Sequence, residues 1–413
     1  MRAIVCLVTS LVVTGSVRAD DQPVQHAVQQ LTQGPKHHFF GYIGHAGTIP
    51  WNASGRYILA LQTSFQDRMP LVGEAAEVVL IDTHRNNLVT VVDRTRAWNF
   101  QQGTMFYWNP EQAETQFFFN DRDPETNQVF AVLYDIVEQL RVREYRFADT
   151  PIGNSGVAQN GGHFLGINYG RLSRLRPVTG YPGAFDWTDG EVAPGDDGVF
   201  KVDVSTGEKQ LLVSFRQVYD ILKPTSPHID TQPLFINHTL WNRDDDRIYF
   251  YVRGEFGNRE RRINTPFVVV PDGSGLTPQP VFIGGHPEWA QGHRMIGSHD
   301  GRQVFYDTDQ QQIVGTIANR EVIPDPEADV ALSPDGKCLA NGYEVGTENF
   351  YVLYRLSDGA FTRSRGFDHT GWTDGDLRID GAPCWNRTSD KIVFTAIADD
   401  AEKTRQMFVL EIR

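Results

Sequence analysis

Two kinds of side chain in this sequence are spaced so that they could do chemistry together. Arg68, Arg122, Arg171 and Arg253 each close a short apolar run, in Phe65-Gln66-Asp67-Arg68, Asn120-Asp121-Arg122-Asp123, Asn168-Tyr169-Gly170-Arg171 and Tyr251-Val252-Arg253-Gly254-Glu255. His238 and His286 each stand three residues before a tryptophan, and His45 lies further ahead of Trp51. His299 ends a fifth run, and Arg378 and Asp380 precede Cys384-Trp385. A guanidinium offers a forked set of donors to a planar anion such as a carboxylate or sulfate. A neutral imidazole takes a proton near neutral pH. On one face, these groups would suit an acidic ligand and removal of a proton beside its carboxylate. Taken singly, each arginine has a blander reading, an ion pair with Asp67, Asp121, Asp123 or Glu255. The histidines could likewise only hydrogen-bond across a channel.

A repeated pattern must position them. Pro50-Trp51-Asn52-Ala53-Ser54-Gly55 precedes the apolar run Tyr57 to Leu61, and variants recur at Trp108, Ala158, Trp241, Trp289, Leu332 and Trp385. Each copy reads as strand, polar turn, strand, and a third and fourth strand follow, as in Val78 to Asp82 and Leu88 to Val92. A period near ~50 residues predicts a β-propeller. Seven copies predict a seven-bladed β-propeller of four-stranded antiparallel blades. The last copy ends after three strands, so the N-terminal run His38 to Ile43 is expected to close the ring and remove an exposed sheet edge. In such a ring the approach to the first strand and the exit of the second share a face, where the histidines and arginines should meet.

Residues 1–19 read as a secretory signal, with Arg2, an apolar core and Val17-Arg18-Ala19 as cleavage site. Residues 20–36 read as a flexible leader and 37–413 as one propeller domain. Periplasmic or extracellular location follows, and no later run is long and apolar enough to span a bilayer. The net charge of −14 argues against nucleic acid as a partner. Cys338 and Cys384 could form a disulfide or remain two buried thiols. A monomer is expected. No pair of acids placed for glycoside hydrolysis, Gly-x-Ser-x-Gly elbow, phosphate loop or CxxC site occurs.

The segments Ile236-Asn237-His238-Thr239-Leu240-Trp241, Tyr249 to Glu255 and Gly285-His286-Pro287-Glu288-Trp289 resemble the corresponding blades of oligogalacturonate lyases. The resemblance implies β-elimination on short uronic-acid chains, with a His/Arg pair and a manganese ion. By motif, His238 matches the catalytic histidine and His286 a metal ligand. Where that family has His-Pro-His-Pro, this chain has Asp380-Gly381-Ala382-Pro383. The expected catalytic set is His238 as base with Arg253 and Tyr169. Arg68, Arg122, Arg171, His45 and Tyr251 are expected to bind an anionic carbohydrate. His286, His299 and Asp380 would hold a divalent cation, manganese or calcium. Two other readings remain open: a non-catalytic propeller that binds an anionic glycan or peptide, and a single-histidine glycoside hydrolase.

Overall fold

The repeated Trp-Asn pair explains most of the architecture. In the first copy Asn52 accepts a hydrogen bond on its side chain from the Tyr57 amide at 2.9 Å, which closes the turn between the first two strands of a sheet. Asn242 does the same for Arg247, and Asn386 for Lys391, each at 3.0 Å. The tryptophan links neighbouring sheets. The indole N–H of Trp108 donates to Pro50 O at 2.8 Å, that of Trp289 to Leu240 O at 3.0 Å and that of Trp385 to Ala331 O at 2.9 Å. In the last copy, Trp385-Asn386, one residue thus closes the hairpin and the one before it staples that hairpin to the previous sheet, whereas the indole N–H of Trp241 makes no such bond.

The computed structural model describes residues 25–42 and 45–412, so the expected signal segment 1–19 lies outside the described residues. It is an all-β, propeller-like fold with five four-stranded antiparallel sheets and one nine-stranded sheet. The first sheet runs in chain order His37–Phe39, Tyr57–Thr63, Ala76–Asp82, Leu88–Thr95. The next three repeat this order, with inner hairpins at residues 107–122, 153–167 and 235–254. The nine-stranded sheet holds two such units, joined where His286 pairs in parallel with Asp329. Apolar residues of the strands form the core between sheets, with Ile58, Phe118, Phe250, Ile296 and Leu410 fully buried.

Three expectations change. The strand that pairs with the final strand, Arg405–Ile412, is His26–Gln30, inside the expected flexible leader. The segment expected there instead opens the first sheet, where His37–Phe39 pairs with Thr63 to Leu61. Buried His38 explains why: its ring contacts Gln62 at 2.7 Å and Gln406 at 2.9 Å, tying the first sheet to the last. The third copy does not exit as a strand, because Asn168 caps a helix, Tyr169–Leu175, by accepting from Arg171 N. A second helix spans Phe215–Leu222. Cys338 and Cys384 are both free thiols. Among the described residues no helix is long and apolar enough to cross a membrane.

Candidate active site

The inner strands converge on a cavity of about 340 Å³ whose wall includes His238, Arg253, His286 and Asp380. Four residues expected from sequence to share a face therefore do meet. His238 reaches the cavity through a bulge in the strand Phe235–Trp241. Asn237 pairs with Tyr251 and Leu240 with Tyr249, so two residues stand opposite one. The bulge puts His238 in the left-handed region, φ 55°, where non-glycine residues are uncommon and cluster at functional sites. Met105, also three residues before its tryptophan, has φ 57°. The kink is thus shared by two copies, and the imidazole is what this copy adds to it. Tyr42 lies parallel to the His238 ring at 6.4 Å, and Tyr251 meets it edge-on at 6.2 Å.

His286 uses the same register in the next sheet. Gly285, at φ 72°, shapes the irregularity between Gly284 and Glu288, and a side chain there would approach Glu327 O at 3.0 Å. The ring centroids of His238 and His286 are 5.4 Å apart. Nδ1 of His286 contacts the buried carboxylate of Asp329. The two imidazoles are thereby driven in opposite directions. Burial, then the positive charge of Arg253 and the neighbouring His286, His45 and Arg176, hold the pKa of His238 well below the ordinary histidine value. Burial also opposes protonation of His286, but the Asp329 carboxylate overrides it and the pKa stands above the ordinary value. Two imidazoles side by side whose pKa values are pushed apart are the pattern expected of proton-transfer chemistry.

Arg253 is held in place without losing its charge. Its Nε donates to Asn264 at 2.8 Å, and its guanidinium stacks 4.5 Å from the Tyr251 ring. Burial lowers its pKa to about 10, which keeps it a cation at neutral pH. Tyr251 is 1% exposed and donates to Ile283 O at 3.1 Å, so it supports Arg253 and does not face a ligand.

The remaining expected residues lie elsewhere. Tyr169 is buried in the capped helix, stacked on Tyr181 at 4.4 Å, with its hydroxyl donating to Asn154 O at 3.0 Å. Arg171 is 1% exposed and its guanidinium donates to Thr188 and to the carbonyls of Leu234, Glu191 and Val192. Arg122 is buried against Pro182 O, because the insertion between residues 172 and 197 covers it. Arg68 forms a two-pronged pair with Glu74 at 2.6 and 2.8 Å. Counting from the Trp51–Ile58, Trp108–Phe117, Val157–Phe164 and Trp241–Ile248 pairs, the position of Arg253 is matched by Arg122, Thr63 and Tyr169. The arginines therefore do not form a ring. His45 is buried near Glu288 at 3.4 Å and borders a separate cavity with Arg243 and Gln159. Since Arg171 saturates buried carbonyls, Arg171→Ala is expected to destabilise the fold by about 3 kcal/mol or more, each orphaned group costing ~1–3 kcal/mol. Thermal unfolding would show the loss, while ligand affinity of the folded fraction stays at the parent value.

The residues do not fit a resident divalent cation. No three His, Cys, Asp or Glu side chains among the described residues converge as ligands. Asp380 takes Arg378 at 2.7 and 3.2 Å, and His299 turns outward to Phe282 O and Asp300. Cations line the cavity in their place. Arg176 from the insertion, Arg262, Arg378 and Arg405 all contribute. Sequence reading missed Arg176, Arg262 and Arg405 because loops and a late strand carry them, outside the positions compared. Asp329 was within reach: it stands three residues before Leu332, the register of His238 and His286.

Among solved structures, the chain is similar to an oligogalacturonate lyase in complex with manganese, with a TM-score of 0.62 at 12% identity, covering 95% of this chain and 97% of that one. It is also similar to the Cps50 (Swd1) β-propeller domain of Myceliophteria thermophila, with a TM-score of 0.45 at 12% identity over 90% and 97% of the two chains. TolB from Acinetobacter baumannii matches with a TM-score of 0.41 at 11% identity over 87% and 82%. No protein-family model and no curated protein matches the chain. At these identities the likeness concerns the fold.

Proposed function

We propose that the protein is a polysaccharide lyase that cleaves uronic-acid chains by β-elimination. The observation that carries this reading is the pair of imidazoles 5.4 Å apart, one with its pKa lowered and the other with its pKa raised, beside the guanidinium of Arg253 in one cavity. Arg253 binds the uronate carboxylate and stabilises the negative charge that grows on it when the C5 proton leaves. His238 takes that proton. Its Nδ1 is buried without a partner, so Nε2 is the nitrogen turned to the cavity. His286, with Asp329 on Nδ1, gives a proton from Nε2 to the departing C4 oxygen, and a C4–C5 double bond remains. The bound carboxylate also offsets the cations that depress His238, so the base strengthens only when substrate is present. The solved manganese-bound lyase shares the propeller-like plan, whereas here guanidinium groups do the neutralising.

The fold proposal is correspondingly finer. The nine-stranded sheet counts as two blades bridged at His286 and Asp329, making seven, and His26–Gln30 closes the ring on Arg405–Ile412. The enzyme is proposed to act outside the cytoplasm as a monomer on an anionic carbohydrate.

Incubation with uronate polymers should produce ultraviolet absorbance from the conjugated double bond. Tight binding without any such product would leave an anionic-glycan binding protein. New reducing ends without absorbance would indicate a hydrolase. The pH profile of kcat/KM should be bell-shaped. Its acid limb, from protonation of His238, lies below the ordinary histidine value near ~6.5, and its alkaline limb, from loss of the His286 proton, lies above it. Asp329→Asn removes the carboxylate that favours the imidazolium, so the alkaline limb should move to lower pH while the acid limb stays. An unmoved alkaline limb would remove His286 from the acid role.

A further inference from the structure

Three guanidiniums gather round one ring at the mouth of the cavity. The Cζ atoms of Arg176, Arg253 and Arg262 lie 4.9, 4.6 and 4.5 Å from the centroid of Phe256. Elimination uses only Arg253. The other two come from loops outside the repeat, Arg176 at the C-cap of the inserted helix and Arg262 just before the strand Ile263–Val269. The nearby carboxylates are committed elsewhere. Glu255 pairs with Arg261 at 3.0 Å, Asp186 and Asp189 with Arg174 at 2.8 and 3.1 Å, and Asp380 with Arg378 at 2.7 Å. Glu327 accepts from Ser298 and from Gly285 N. Among the described residues Arg176 and Arg262 have no carboxylate within ion-pair distance, and Asp376 acts on Arg176 only from further away. Like charges held this close repel unless an anion joins them, and the protein as a whole carries a net charge of −14. Phe256 holds the guanidinium planes in place through cation–π contact, which leaves their N–H edges for a ligand.

We propose that Arg176 and Arg262, on Phe256, form a second anion subsite that takes a further carboxylate or sulfate ester of the same glycan chain. This rests on the elimination reading for the direction of the chain, since Arg253 shares Phe256 with the subsite and lines the cavity with His238. A substrate with one anionic group fills the reacting position alone, and a substrate with a second one also engages the mouth. The subsite thereby selects oligomers over single uronates, and its loop residues set which neighbouring anion is accepted.

Calorimetric titration of the full chain carrying His238→Ala, which should not turn over, tests this with three probes. They are a uronate monosaccharide, an unsulfated uronate trisaccharide, and a uronate disaccharide with one sulfate on the neighbouring neutral sugar. Arg176→Gln and Arg262→Gln, each added to that background, should weaken trisaccharide or sulfated-disaccharide binding about tenfold, with a shallower salt dependence, and leave the monosaccharide unchanged. Loss confined to the trisaccharide identifies carboxylate as the anion, and loss on the disaccharide identifies sulfate. Equal affinities for all probes in parent and variants would overturn the subsite, with thermal unfolding confirming that the variants are folded. Arginine-dependent binding in a protein that yields no double bond would sink the elimination and keep the subsite.

Discussion

Replacing His238 with alanine is expected to lower kcat on uronate oligomers by about 10²–10⁴-fold, the range for loss of a positioned general base. Affinity should change little, because the carboxylate at the reacting position is held by Arg253. The imidazole is partly exposed to the cavity, so the variant should fold. Its backbone at φ 55° is uncommon for both residues and more so for alanine, so thermal unfolding of the variant is measured alongside its rate. His238→Gln keeps polarity and approximate size but cannot take a proton, and should lose as much rate. Turnover near the parent level in both variants would place the base elsewhere.

Arg253→Ala should cost about 10²–10³-fold in kcat/KM, as expected when a donor aimed at developing negative charge is removed. Arg253→Lys should recover little, since a point charge does not reproduce the fork that Asn264 and Tyr251 hold in place. A second readout separates this role from plain binding. Arg253 is the largest electrostatic influence that depresses His238 after burial. Its removal raises the pKa of His238, so the acid limb of the kcat/KM profile should move to higher pH. A loss of rate with an unmoved acid limb would mean that the two groups are not coupled as the geometry implies.

The approach strands here present His238, His286 and Asp329 at one register, and Asp380 is held by Arg378. In the proposed elimination, carboxylate neutralisation falls to guanidiniums, which bring charge and directed donors.

The sequence by itself determined the plan of the molecule: a strand, polar turn and strand pattern recurs along the chain, and a local side-chain bond from Asn52, Asn242 or Asn386 closes the turn in its copy. It also placed His238 and His286, because a shared register on inner strands forces side chains toward one axis. Register did not carry over to the arginines. Asn168 caps a helix and buries Arg171, the insertion seals Arg122 under Pro182, and Glu74 claims Arg68. Only tertiary structure brought Arg176 beside Arg262, since that contact joins segments far apart in the chain. Repeats encode local geometry, whereas the partner of a charge depends on which loop folds over it.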